Sequence, residues 1–303
     1  MPSPQQSSIH NHAQMPARPD LIRLIIGIFG IGSSGPLIAL SAMPVPTLIF
    51  WRNLGGSLIT LPFALRHKLD RDGMRWAILA GVVLCFHFMG FFLAMRLTSV
   101  AAGIALTAIQ PIFAALFLKL RGGDIPNRAW LGMFISFAGV IALTGIDIRV
   151  DARAFLGDMA ALISGALAAA YMILGSKSQQ TLATTSYTTI CYFSCAVTAL
   201  PFIFLFDYEL LLFPADEWII LGALIIGAQL LGHTMFNITL KRVSPAIVSL
   251  IIFFEVPVAA LLAFIFQIGK QPSIWAIPAV LVILFGCILV VGRTRPEKVT
   301  TLA

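Results

Sequence analysis

The chain has 303 residues, 59% of them hydrophobic and only 11% charged, with a formal net charge of +7. A soluble domain averages about 25% charged residues, so twenty Lys and Arg with thirteen Asp and Glu cannot cover a water-soluble surface of this size. This excludes most soluble enzymes and nucleic-acid binders, and also an outer-membrane barrel, whose strands alternate polar and apolar residues; a polytopic helical membrane protein is left.

Residues 1–20 are polar and read as a cytoplasmic tail with no signal-peptide core. His10 and His12 in it are read as solvated, not as a metal site. Apolar runs of about 20 residues, the length that crosses a hydrocarbon core of ~30 Å, follow one another along the chain. Spans are predicted near 21–43, 46–65, 76–96, 99–119, 129–146, 156–176, 186–206, 218–240, 244–267 and 273–293. Ten spans put both termini on one side. With the N-terminus inside, fifteen Lys and Arg fall in inner segments and four (Arg96, Arg149, Arg153 and Lys270) in outer ones, with Arg52 left inside a span. The positive-inside rule then places both termini in the cytoplasm of a multi-pass protein of the cell inner (plasma) membrane. The +7 charge belongs to those inner loops, so no nucleic-acid partner is expected. Trp76, Trp130, Trp218 and Trp275 each open a span, the belt position for an amphipathic ring.

Cys85, Cys191, Cys195 and Cys287 lie in apolar runs without CxxC or Cys/His spacing, so neither a disulfide frame nor a metal site is expected. Walker A, GxSxG and HExxH motifs are absent. No enzymatic activity and no cofactor are expected.

The chain repeats itself. Ser99-Val100-Ala101 matches Ser244-Pro245-Ala246, Gln110 falls on Glu255, and Ala114-Ala115-Leu116 falls on Ala259-Ala260-Leu261, all at an offset of 145. Leu61-Pro62-Phe63 matches Leu200-Pro201-Phe202 at 139, and Gly139 and Gly145 match Gly286 and Gly292 at 147. Each match joins one span to the fifth span after it. Five is odd, so the two copies, 21–150 and 151–295, enter the membrane from opposite sides, with 296–303 a second cytoplasmic tail. The expected fold is all-α: ten transmembrane helices as two inverted five-helix repeats. Inverted repeats accompany secondary transporters whose site lies near the midplane.

Several motifs point the same way. They are Phe50-Trp51-Arg52, Ala94-Met95-Arg96-Leu97-Thr98-Ser99, Gln110-Pro111-Ile112-Phe113-Ala114-Ala115, Leu240-Lys241-Arg242-Val243-Ser244-Pro245-Ala246 and Glu255-Val256-Pro257-Val258-Ala259-Ala260. Through them the chain resembles the EamA-like branch of the drug/metabolite transporter superfamily over residues 21–293, each half resembling one EamA-like repeat. Gln110 stands where that family often has Glu, and Val256 separates Glu255 from Pro257. The resemblance implies a ten-helix carrier of amino acids or other small metabolites, often an exporter.

Polar side chains inside spans are costly and are site candidates by default. Gln229, His233 and Asn237 are spaced i, i+4, i+8, on one helical face. Thr107 and Gln110 belong to a small and polar stripe on the fourth span, Ser164 and Tyr171 to the sixth, Ser34 to the first, and His87 sits mid-span in the third. With Phe254 these form the expected substrate-binding set; close helix packing is the plainer reading of the small residues. Glu255 is the acidic residue in the middle of a span. It can carry a proton, pair with Arg52 or face water, which makes Glu255 and Arg52 the proton-coupling candidates. Pro111 and Pro257 predict kinks that free the carbonyls of Thr107 and Phe253. The expected function is secondary transport of a small organic molecule across the lipid bilayer, by alternating access, with protons as the candidate coupling ion. A passive channel or lipid scramblase, and a membrane sensor or assembly subunit, are the rival readings.

Overall fold

The computed structural model describes residues 17–98, 100–144, 152–243, 248, 251–265 and 276–291. The expectations for His10 and His12, Ser99, Gly145, Arg149, Ser244 to Ala246, Lys270, Trp275, Gly292, residues 1–16 of the first tail and the second tail lie outside the described residues; the last residues of the expected first tail, Arg18 to Asp20, are instead the first turn of a helix that Pro19 starts. Every regular element among those described is helical. In order they are α1 (Arg18–Gly32), α2 (Ser34–Leu40), α3 (Val45–Ala64), α4 (Arg71–Leu97), α5 (Val100–Thr107), α6 (Gln110–Leu120), α7 (Asn127–Thr144), α8 (Ala152–Ser178), α9 (Thr184–Leu205) and α10 (Ala215–Ala223). A wide-turn π segment (Leu224–Thr234), α11 (Met235–Thr239), a 3₁₀ turn (Ile252–Phe254), α12 (Glu255–Ile265) and α13 (Ala276–Val291) complete the chain. Among the described residues six stretches are long and apolar enough to cross a membrane: 18–40, 71–97, 102–120, 152–178, 184–205 and 215–239. Asn127–Ala142 and Ile252–Leu262 are shorter apolar helices.

The starts of these helices follow from local chemistry. Proline occupies the first turn of α1, α3 and α6, where its missing N–H would have had no partner. Asp70 caps α4 by accepting the Gly73 N–H at 2.8 Å and takes a second bond from Thr181 Oγ1 at 2.9 Å. These donors, the Gly73 amide first, hold the Asp70 carboxylate below its usual range.

The packing has the symmetry of the repeat. The predicted third span (α4) lies along the sixth (α8), and the first (α1) along the eighth, which contains the π segment. The second (α3) lies along the seventh (α9), and the fifth (α7) along the tenth (α13). Advancing each span by five converts the first pair into the second and returns the other two to themselves. The α7–α13 contact shows the relation in atoms. An added Cβ on Gly139 would meet Ile283 and the Ala279 backbone, while one on Gly286 would meet Ser136 and the Gly132 backbone. At the offset of 147, residues 132, 136 and 139 are the equivalents of 279, 283 and 286. The contact is therefore reciprocal, as a two-fold axis requires, and the Ser136 hydroxyl donates across it to the Ile283 carbonyl at 3.1 Å.

Polar contacts tie the bundle at both ends. At one, the buried Glu217 carboxylate accepts from Ser41 Oγ at 2.6 Å and from the Ala42 N–H at 2.7 Å. Arg96 donates to the Ser41 and Met43 carbonyls, and Trp51 Nε1 donates to the Leu210 carbonyl at 2.8 Å. Glu209 in the same loop accepts the Leu210, Leu211 and Leu212 N–H groups, of which those of Leu212 and then Leu211 do most to hold its carboxylate below the usual range. At the other end, Asp20 pairs with Arg23 at 2.5 Å and reaches Arg242 at 3.9 Å.

Candidate functional site

The two expected kinks are local interruptions of the α-helical bonding, in helical backbone that otherwise continues. The fourth predicted span divides into α5, ending at Thr107, and α6, starting at Gln110. The ninth passes from a 3₁₀ turn to α12 at Glu255. Pro111 and Pro257 sit in the first turns of α6 and α12, where proline is tolerated, and not in a helix interior. Gln110 and Glu255, equivalent at the offset of 145, thus each directly follow the interruption in their span. Irregular backbone at membrane depth persists only where protein or a water-filled cavity satisfies it.

Both residues face one cavity. Its wall includes Ser34, His87, Thr107, Gln110, Tyr171, His233 and Glu255, with Ile31, Phe88, Phe91, Ala168, Met172 and Ile252. The space open to water-sized spheres in it is about 30 Å³, room for about two waters. The cavity is therefore too narrow for more than a few waters.

Six of the ten expected substrate residues form this wall, and the others stand behind it or beside it. Ser164 positions His87. The His87 Nδ1 lies 2.9 Å from the Ser164 carbonyl, and Ser164 Oγ lies 3.0 Å from the His87 carbonyl. An Nδ1–H donating to the Ser164 carbonyl leaves Nε2 as the ring's acceptor. Asn237 donates to the Tyr171 hydroxyl at 2.7 Å, and His233 lies edge-on to the Tyr171 and Phe88 rings at 6.1 and 5.2 Å. Phe254 is half-buried in the 3₁₀ turn and is absent from the wall.

The expected common face of Gln229, His233 and Asn237 is divided. Gln229 and His233 lie in the π segment and Asn237 in α11. The Gln229 carbonyl receives Thr234 Oγ1, five residues on, at 3.1 Å, and Thr234 also contacts Tyr192. With wider turns the face drifts: Gln229 reaches Arg52, His233 the cavity and Asn237 Tyr171. Such segments recur at functional sites.

Arg52 is fully buried. Its Nε donates to Gln229 Oε1 at 2.8 Å, and its Nη1 lies 3.4 Å from Ser34 Oγ. The other expected partner is absent: among the described residues Arg52 and Glu255 form no ion pair within 4.0 Å. The guanidinium lies over Phe88 at 4.3 Å instead. Sequence reasoning missed Asn53, which accepts from Gln229 Nε2 at 3.0 Å and completes this network; as an amide inside a span, it carried the same signal as Gln229. The apolar wall residues carried none, because their composition is that of any helix core.

Residues 20–145 and 155–292 each match the EamA-like transporter family. A protein of Archaeoglobus fulgidus named "Uncharacterized transporter" is 30% identical over 149 residues, 46% of this chain and 50% of the relative. That match spans about half the relative's length. A crystal structure described only as that of a protein is 17% identical, with a TM-score of 0.73 over 90% of this chain and 96% of that one, a likeness of fold alone.

Proposed function

This chain belongs to the EamA-like transporter family, and from that premise we propose that it is a secondary transporter of a small organic metabolite, such as an amino acid, working by alternating access as an exporter or exchanger. It spans the plasma membrane ten times as two inverted units, 21–150 and 151–295, with tails 1–20 and 296–303 in the cytoplasm. The observation that carries the reading is the pair of helix interruptions at equivalent positions, each followed by a polar residue, Gln110 or Glu255, of one cavity wall. Broken helices that meet at mid-membrane are where secondary transporters hold substrate and coupling ion. Contacts at both ends support a closed stage of a cycle that opens to each side in turn.

Substrate contacts the wall at Ser34, His87, Thr107, Gln110, Tyr171 and His233, while Ser164, Gln229 and Asn237 hold wall or network residues in place. Phe254 joins the wall when the cavity widens. Glu255, without an ion pair to Arg52 and facing the cavity, takes and releases the coupling proton.

Counterflow in proteoliposomes tests the reading. Preloaded unlabelled amino acids should drive uptake of labelled amino acid, with saturation. Glu255→Gln, which cannot release a proton, should abolish accumulation driven by a proton gradient while retaining exchange. A folded protein that conducts without saturation would remove the carrier reading, and unchanged proton-driven accumulation in Glu255→Gln would remove the proton role.

A further inference from the structure

The guanidinium of Arg52 has three fixed neighbours and one free edge. Its Nε is bonded to Gln229 Oε1. The Gln229 amide nitrogen donates to Asn53 Oδ1, and the Asn53 amide nitrogen to the Ile49 carbonyl at 2.8 Å. The Gln229 oxygen is thus taken by Arg52 Nε and the Asn53 oxygen by Gln229. Nη1 has only the long contact to Ser34 Oγ, and Nη2 is buried with no partner. A guanidinium has five N–H donors and no acceptor.

A buried cation with unsatisfied donors is strongly destabilising unless something supplies negative charge. Among the described residues no carboxylate lies within ion-pair distance of Arg52. What compensates it here is the face of Phe88 at 4.3 Å and, farther off, that of Phe92 at 5.7 Å, attractions weaker than an ion pair with hydrogen bonds. Ser34 and Phe88, the two groups between the guanidinium and the cavity, are both wall residues. The cavity at about 30 Å³ is too small for a metabolite, so admitting one requires a wall group to move. Phe88 turning aside would enlarge the cavity and bare the guanidinium together.

Resting on the transporter reading above, we propose that Arg52 binds a carboxylate of the transported molecule, and that Phe88 covers the guanidinium in the closed conformation and yields to that carboxylate. The chemistry fits a monoanionic group. The wall contains no Lys or Arg, and its ionisable side chains apart from histidine and tyrosine reduce to the acid Glu255. A phosphate dianion would meet one cation and a facing carboxyl group, whereas a carboxylate needs only the one guanidinium and leaves Glu255 available to an amine on the same molecule.

The test is binding to the purified full-length protein in detergent, by ligand protection against thermal unfolding. The probes are L-phenylalanine with L-phenylalaninamide, benzoate with benzamide, and phenyl phosphate. The wild type should bind each carboxylate at least tenfold more tightly than its amide and more tightly than phenyl phosphate. Arg52→Gln should lose at least tenfold in carboxylate affinity with amide binding unchanged, a discrimination that loss of packing alone would not produce. Phe88→Leu removes the competing ring and keeps the cation, so it should tighten carboxylate binding severalfold. That variant keeps the proposal testable if Arg52→Gln does not fold. Equal affinity for carboxylate and amide in the wild type, preference for phenyl phosphate, undiminished carboxylate binding in folded Arg52→Gln, or unimproved binding in Phe88→Leu would each overturn it. Counterflow separates the two readings. Carboxylate-selective binding without counterflow refutes transport and keeps Arg52 as the anion site. Counterflow that treats acids and amides alike in both wild type and Arg52→Gln keeps transport and refutes Arg52.

Discussion

Replacing Glu217 with glutamine should loosen one end of the bundle by about 1–2 kcal/mol. The carboxylate accepts two short bonds, from Ser41 Oγ at 2.6 Å and the Ala42 N–H at 2.7 Å, and joins the α2–α3 connection to the first turn of α10. A hydrogen bond to a charged group contributes about 1.5–3 kcal/mol and a neutral one about 0.5–1.5. Glutamine keeps an oxygen for the Ala42 N–H and can turn its NH₂ toward the Ser41 hydroxyl, so charge assistance is lost and the bonds are not. If this contact closes the cavity from that end, the open fraction rises about five- to thirtyfold, since 1.4 kcal/mol is tenfold. The buried Ile38, in α2 close to this contact, is the reporter. Ile38→Cys, in a background with the four native cysteines replaced, is labelled in detergent with a hydrophilic thiol reagent. Glu217→Gln should raise the labelling rate by the stated factor at unchanged far-UV signal. A rate within twofold of the parent, in protein of unaltered melting temperature, would refute the assignment of Glu217 as a closing contact.

Gly286→Ala forces a methyl against Ser136 and the Gly132 backbone; it should cost about 1–3 kcal/mol, read as a lower Tm. Gly222→Ala points into open space and should be neutral or gain up to about 1 kcal/mol from helix propensity; the reverse order would contradict the reciprocal contact. Because the Asp70 carboxylate is held below its usual value, its cap is intact above an unfolded pKa of about 3.9 and is lost as pH falls through the lower folded value. The Tm gap between wild type and Asp70→Asn should therefore stay level from pH 8 to about 5 and close below about 4; a gap unchanged at pH 3 would remove that account. His233→Ala should alter KM at little cost in Tm, whereas Gln229→Ala should lower Tm by leaving Arg52 Nε and Asn53 Oδ1 unpaired; equal Tm values would place Gln229 outside the network.

The span pattern was legible because lipid imposes a long apolar run wherever a helix crosses, and the two-repeat order because Gln110/Glu255 and Gly139/Gly286 keep their spacing. Six wall residues were legible for a related reason: a polar side chain such as His87 or Gln110 stands out in a run of Leu, Ile and Phe. The interruptions at Gln110 and Glu255 were legible only as kinks, since proline marks a missing N–H in either case. The π segment was hidden because Gln229, His233 and Asn237 keep an α-like spacing; the bonds among Thr234, Gln229 and Tyr192 that accompany it join residues 37 to 42 apart as well as neighbours within the segment, and spacing does not reveal them. The separation of Arg52 from Glu255 was illegible too. Two opposite charges in apolar runs suggest a pair, but only tertiary packing put Gln229 and Phe88 around the cation.

The reciprocal contact of α7 and α13 has a mechanical corollary. If the halves of the chain exchange shapes when the cavity turns from one face of the membrane to the other, an interaction on the two-fold axis is carried onto itself and has the same energy before and after. Such interactions are even under the exchange. Glu217 with Ser41 is not of this kind: it exists at one end and is counterweighed, at the other, by different residues such as Asp20 and Arg242. On that cycle, substitutions at even positions such as Gly139 or Gly286 should change how much protein survives heating and leave the partition between the two facings alone. Substitutions at odd positions move that partition directly. On that proposed cycle, sequence drift along the axis would tune durability, and drift at the two ends would tune which facing is preferred, through separate sets of residues.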